Sequence, residues 1–511
     1  MRWMSFQNHS VTHLFLLWLG FAGIVFVRGW LDDAGMISMD GPHYLEVAQN
    51  VLDGRGLVYT PEGLSDQLSP SGFDYAAIWP WGYPVGIAAV AELCHLPVTW
   101  AFRVLNLLLV ALLFGVLRAL FREDAPVFAL VLYWASPLVA FSSAWSEVPF
   151  VVTMLGMVWA VSRLFRQPDW QAWLVLGLSW GLSFLFRYIG VLGWLVMGVL
   201  MIRFIRQKSW RSVWNLAVVS GSIGGLMGLY LWINHLKTGY WTGMNRDHLG
   251  GFPLDVIVKS LIEMLPLFGL PLNLQRLPAM YALGVVALQA VLMLSIWFRF
   301  RSDSIHPAKT QTERAQHVPA LWIVGGSYLV TILCIRTLQG GDFNDRMLLP
   351  AFMLGWWALL HHLLHQGARV WIRSLWMGIT LASVLVHVVA WSGLQIQRYG
   401  WSGGYAQRQE RVMNESRLIP SGSIVAFGDV HLNYLRPDLV VIQPFYRPFA
   451  HQTERVQAFI NRMKRGLPNR HLYWSLNNDT WNGKTVRVPY FDADFVALMR
   501  DAPAFSVQNV Y

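Results

Sequence analysis

Eleven stretches of about twenty residues, almost free of charged side chains, recur along this 511-residue chain, and they restrict its fold more than any other feature. They lie at 11–27, 100–119, 126–143, 147–165, 170–186, 188–205, 213–234, 279–298, 319–335, 347–364 and 371–391. A hydrocarbon core about 30 Å thick needs roughly 17 to 25 apolar residues per helix. Within it the backbone must satisfy its own hydrogen bonds, which a helix does. Composition agrees, with 13% of residues charged against about 25% in a water-soluble chain. The chain is therefore expected to be a polytopic α-helical membrane protein with about eleven transmembrane helices. The first run is followed by no small-residue cleavage site, so it is expected to stay as a helix and not to leave as a signal peptide.

The net charge of +10 does not point to nucleic acid, because Lys and Arg cluster in short segments between apolar runs. Arg118 with Arg122, Arg163 with Arg166, Arg203 to Arg211, Arg299 to Arg314, and Arg369 with Arg373 all fall on one side under strict alternation. By the positive-inside rule that side is the cytoplasm. The N-terminus is then cytoplasmic, and residues 28–99, 144–146, Arg187, 235–278, 336–346 and everything after 391 face outward. The apolar segment 80–96 is too short to span and reads as an interfacial or re-entrant helix. Cys94 and Cys334 form no spaced framework, so neither a disulfide scaffold nor a zinc site is expected.

Two domains are predicted: a membrane domain over 1–391, with 28–99 as its first outer loop, and a small extracytoplasmic α/β domain over 392–511. In the tail, "SIVAFG", "DLVVIQ" and "HLYWSL" read as strands and "TERVQAFINRMKR" as an amphipathic helix.

Three polar features face outward. In "ISMDGPHYLEVAQNVLDGRG" the apolar residues Tyr44, Val47, Ala48, Val51 and Leu52 share one helical face and Glu46, Gln49, Asn50 and Asp53 another, as in a helix lying along a surface. Asp40 stands at the N-cap position before Gly41 and Pro42. Its carboxylate either caps the helix or, favoured in charged form by the helix dipole, serves as a general base. Asp32 and Asp33 are rival acids. The second feature is Glu147 in "SSAWSEVPFVV", read either as an ordinary helix opener or as a membrane carboxylate with a function. The third is Arg187 in "FLFRYIGV" and Arg346 in "GDFNDRMLLPAF", cations on the side where the orientation rule disfavours them. They either bind phosphate oxygens through the guanidinium fork or pair with a carboxylate such as Asp342 or Asp345.

These residues resemble the GT-C glycosyltransferases, in particular the protein O-mannosyltransferase group (family 39) and its bacterial aminoarabinose-transferase-like relatives. "DGPHYLEVAQNVLDGRG" is similar to their acidic first-loop motif, "WPWGYP" at 79–84 to "PPGYP", "FRVLN" at 102–106 to the start of the next span, "SEVPF" to "SEPLF" and "RMLLP" to "RYLLP". Their order and spacing agree across roughly residues 1–391. The sequence departs from the family where Gly41 follows the acid and where Trp79 and Trp81 flank Pro80.

The resemblance implies a GT-C fold and an inverting transfer of a sugar from a polyprenyl-phosphate donor to an acceptor hydroxyl on a glycan, lipid or protein. Asp40 would be the base, Arg187 and Arg346 would meet the donor phosphate, and Glu147 would orient an acceptor or, with Asp40, hold a divalent cation. Asp33, His43, Tyr44, Tyr83 and Arg103 are accessory candidates. Few lysines against many arginines lean toward a bacterial plasma membrane with the active face outward. The alternative is a transporter or flippase of lipid-linked saccharides, but the paired half-sequences expected of one are not found.

Overall fold

The computed structural model describes residues 2–37, 40–59, 74–243, 317–339, 345–365, 369–426 and 431–442, with four short strand segments beyond them. The expected span at 279–298, the expected tail helix at 453–465 and Asp342 lie outside the described residues. The helices run as α1 (Arg2–Leu31), α2 (Gly41–Leu52), α3 (Gly82–Cys94), α4 (Val98–Phe121), α5 (Ala125–Ala129), α6 (Ala135–Ser142), α7 (Glu147–Arg166) and α8 (Trp170–Phe186). They continue as α9 (Gly193–Arg206), α10 (Trp210–Thr238), α11 (His317–Gln339), α12 (Asp345–His365), α13 (Arg369–Val384), α14 (Trp391–Tyr399), α15 (Gly404–Ser416) and α16 (Leu432–Leu435).

The fold class is the expected one, a mostly helical multi-span protein. Among the described residues eight helical stretches are long and apolar enough to cross a membrane, and Gly82–Cys94 and Trp170–Phe186 are apolar but shorter. Their outward residues identify the solvent: Leu108 and Leu112 on α4 and Leu174, Leu178 and Leu182 on α8 recur four apart and are exposed. Such stripes would drive aggregation in water and are at home against lipid.

The described residues group into two compact units. One draws on Met1–Gly29, Arg103–Tyr230 and Arg246–Gln397, the other on Trp30–Phe102, Leu231–Asn245 and Arg398–Tyr511. In the first unit small residues let helices approach closely. A Cβ on Gly156 of α7 would collide with Ser179 Oγ of α8, while Gly177 and Gly181 of α8 pack on Val219 and Ile223 of α10. The span expected at 126–143 is not one helix. A short α5 and a 3-10 turn (Leu130–Tyr133) lead to Trp134, extended at ψ 159°, and α6 starts afresh behind it. Pro137 accounts for the break: in a continuous helix its ring would meet the Tyr133 carbonyl and its missing N–H would leave that carbonyl bare, whereas in the first turn of a new helix neither matters.

In the second unit α2 packs on α3, on α16 and on strand β1 (Val58–Tyr59), which pairs antiparallel with β2 (Asp74–Tyr75). The tail holds β3 (Ile424–Ala426), β4 (Val440–Ile442), β5 (Leu472–Ser475), a hairpin of β6 (Thr480–Trp481) with β7 (Lys484–Thr485), and β8 (Gln508–Val510). Strands β4, β3, β5 and β8 lie side by side in that order, all parallel, with Ile424 opposite both Val440 and Leu472. Val412, Ile419, Val425, Leu432 and Leu439 form a small core there.

Candidate functional site

The first unit carries a buried cluster of three charges. Glu147 is the first residue of α7, behind Ser146 at the N-cap, where the helix dipole favours a negative charge. The chain reaches it through an extended Ser143 whose corner is held by Asn106 of α4, fully buried, donating to the Phe141 carbonyl at 3.3 Å and the Ser143 carbonyl at 2.8 Å. Arg187 caps the C-terminus of α8 in extended conformation. The 3-10 turn after it folds back so tightly that a Cβ on Gly190 would collide with the Phe184 backbone, and Trp180 Nε1 fastens it to the Gly190 carbonyl at 3.1 Å. Arg346 lies in the first turn of α12, which Tyr328 of α11 pins by donating to the Met347 carbonyl at 2.5 Å.

These three elements bring Arg187 Nη1 and Arg346 Nε to one oxygen, Oε1 of Glu147. Arg187 also lies 3.5 Å from Ser146 Oγ, and the Arg346 guanidinium sits 4.6 Å above the Trp145 ring. Glu147 is 1% exposed, and its second oxygen, Oε2, is buried without a hydrogen-bond partner. Two guanidinium groups thus gather at one carboxylate oxygen, each with a planar fork of N–H donors of the kind that suits phosphate oxygens. A carboxylate carrying two guanidinium groups is correspondingly a poor ligand for a divalent cation. Among the described residues no three His, Cys, Asp or Glu side chains gather as a metal-binding set.

Of the two readings of the arginines, the ion pair is the one the structure shows, with Glu147 as a partner that Arg187 and Arg346 share. Trp145, Ser146, Asn106 and Tyr328 were not singled out in the sequence. The first two adjoin Glu147 and Asn106 closes "FRVLN", so their motifs offered a signal; Tyr328 had none. Arg103 is 1% exposed, with Nη2 at 3.4 Å from the Gly29 carbonyl, and a Cβ on Gly29 would come within 2.5 Å of its Nε. It serves as a contact between α1 and α4.

In the second unit Asp40 occupies the N-cap of α2, half-buried, in αR conformation, and its carboxylate makes no capping bond. The capping reading is therefore corrected, since Gly41 and Pro42 begin the helix without a side-chain acceptor. Of the rival acids, Asp32 Oδ2 accepts from Met36 N at 2.8 Å and Asp33 pairs with Arg408 at 3.6 Å. Helix α2 does not lie along a surface with one polar side: Glu46 and Asn50 are each 2% exposed, as is Tyr44. Asn50 Nδ2 donates to the Val58 carbonyl at 2.9 Å. His43 stacks on Trp79 with centroids 4.9 Å apart, and Tyr44 meets Tyr83, fully buried, edge-on at 5.4 Å. "WPWGYP" thus supplies aromatic packing for α2, with His43, Tyr59, Trp79, Trp81 and Pro84 around a small pocket.

Residues 85–232 match the family model described as dolichyl-phosphate-mannose-protein mannosyltransferase. Among solved structures, ArnT from Cupriavidus metallidurans bound to undecaprenyl phosphate is similar at 15% identity, TM-score 0.45, covering 88% of each chain. The oligosaccharyltransferase of Archaeoglobus fulgidus in its apo form is similar at 11% identity, TM-score 0.49, covering 85% of this chain and 64% of that one. No curated protein sequence matches the chain. The family match falls on the segment that supplies Arg103, Asn106, Glu147 and Arg187, and it bears out the resemblance to GT-C, protein-mannosyltransferase-like glycosyltransferases.

Proposed function

We propose that the chain is an inverting glycosyltransferase that moves a sugar from a polyprenyl-phosphate donor to an acceptor hydroxyl at the non-cytoplasmic face of a bacterial plasma membrane. The observation that carries this reading is the meeting of two guanidinium groups, from Arg187 and Arg346, on Glu147, with Glu147 and Arg187 inside the segment that matches the mannosyltransferase family and Arg346 beyond it. A lipid phosphate leaving the anomeric carbon develops negative charge, and fixed guanidinium donors stabilise that charge without reorganising. In the proposed step Asp40 takes the proton of the acceptor hydroxyl as its oxygen bonds to the anomeric carbon. The bond from that carbon to the phosphate oxygen breaks, and polyprenyl phosphate leaves with the electron pair. Glu147 does not touch the acceptor in this scheme; it holds the two arginines. Membrane lipid surrounds the spans, and acceptor glycan, lipid or protein remain the candidate partners.

The test is sugar transfer by purified protein supplied with polyprenyl-phosphate-linked sugar. A positioned general base contributes about 10²- to 10⁴-fold, so Asp40→Asn is expected to lose at least ~10²-fold in kcat at unchanged protein abundance. Transfer within a few-fold of the parent would move the base elsewhere.

A further inference from the structure

Residues 398–426 and 431–437 grip the chain on both sides of Asp40. On the N-terminal side, Trp30 Nε1 donates to the Trp401 carbonyl at 3.1 Å and Asp33 pairs with Arg408. Gly404 lies so close that a Cβ on it would sit 2.9 Å from Asp33 Cα. Gly35, at φ +60°, leaves room for the Tyr405 ring, which a Cβ there would overlap, and the hydroxyls of Tyr405 and Tyr434 lie 3.4 Å apart. His431, 1% exposed, sets Nε2 at 3.3 Å from the Ala34 carbonyl. A carbonyl only accepts, so this ring nitrogen carries the proton. On the C-terminal side, Arg55 at the end of α2 donates to the Pro437 carbonyl at 2.7 Å and to Asn50 Oδ1 at 3.1 Å, and α16 packs on α2.

The backbone on both sides of Asp40 is thus fastened by the tail, through Trp401, Arg408 and His431 before it and through the Pro437 carbonyl after it. From this we infer that residues 398–426 and 431–437 are a positioning device for Asp40, with His431 as its most buried anchor on the loop side and Arg55 on the helix side. The inference rests on the proposed role of Asp40 as base. A displacement of about 1 Å in a reacting group costs on the order of 10²-fold in rate, so loosening either anchor acts on the chemical step while leaving donor binding alone.

The experiment compares His431→Leu, His431→Gln and Arg55→Ala in the full chain. Glutamine keeps an N–H donor of similar reach toward the Ala34 carbonyl. His431→Leu and Arg55→Ala are expected to lower kcat by about 10- to 10²-fold with donor KM unchanged within about twofold, and His431→Gln to recover most of the loss. Unchanged kcat in both variants, or a loss that glutamine does not recover and that tracks donor KM, overturns the inference. Hydrogen exchange of 30–55 is followed in the same proteins. If the parent transfers no sugar, the proposed activity fails by itself, and the positioning claim stands or falls on whether His431→Leu raises exchange across 30–55 selectively.

Discussion

Removing Glu147 should destabilise the protein more than removing either of its arginines. Glu147 is 1% exposed on its side chain, Arg346 9% and Arg187 19%, so solvent screens the cluster weakly. Glu147→Ala leaves two buried guanidinium groups facing each other with their shared counter-charge gone, and breaking a buried pair in this way costs about 3–5 kcal/mol. Arg187→Ala leaves Glu147 still paired with Arg346 and removes one charge-assisted hydrogen bond, about 1.5–3 kcal/mol. The order of destabilisation is therefore Glu147 first, then Arg346, then Arg187, with roughly 2 kcal/mol between the first and last. In the double variant Glu147→Ala with Arg187→Ala the second change relieves an unpaired charge, so the combined loss falls short of the sum by about 0.5–3 kcal/mol. Equilibrium unfolding of the purified proteins in one detergent, followed by tryptophan fluorescence, measures these differences. An Arg187→Ala variant as unstable as Glu147→Ala, or strict additivity in the double variant, would refute the shared-partner account.

Asn106→Ala should cost about 1–3 kcal/mol in the same assay, because the buried carbonyls of Phe141 and Ser143 lose their donor; a neutral result would mean other groups replace it. Gly35→Ala forces a left-handed residue, about 1–2 kcal/mol, and drives its Cβ into Tyr405, so it should lower the unfolding midpoint more than Gly54→Ala, where φ is +75° but the space is open. Arg436, through its hydrogen bonds to Asp438, holds that carboxyl below the usual carboxylate range. The folded value being the lower one, this pair's contribution is present above the ordinary Asp value of about 3.9 and is lost as pH falls through the folded one. Asp438→Asn should therefore flatten the acid limb of a fluorescence-monitored pH titration and leave its behaviour between pH 6 and 8, chosen well above that value, unchanged.

The spans were legible because lipid imposes a length and a composition that a sequence displays directly: the runs at 100–119, 147–165, 188–205 and 213–234 fall on α4, α7, α9 and α10. The break before α6 was legible in principle, from Pro137, but apolarity over 126–143 masked it. "SIVAFG", "DLVVIQ" and "HLYWSL" fall on β3, β4 and β5, since short β-branched runs between turn residues read as strands. Charge pairing was not legible. Glu147 lies 40 residues from Arg187 and 199 from Arg346, and no local spacing rule couples such positions, whereas Asp345, beside Arg346 in sequence, was the obvious guess. Helix α2 shows the same limit: its period reveals one apolar face, but the burial of Glu46 and Asn50 depends on partners as remote as α16.

In the proposed function Arg187 and Arg346, joined on Glu147, receive a lipid-linked phosphate. Mass spectrometry of the lipids that remain with protein purified in mild detergent measures this most directly. A polyprenyl phosphate or its sugar ester is expected with the parent protein and depleted with the Arg187→Ala, Arg346→Ala double variant. Bulk phospholipids alone in both preparations, or equal retention of the carrier by the double variant, would contradict it.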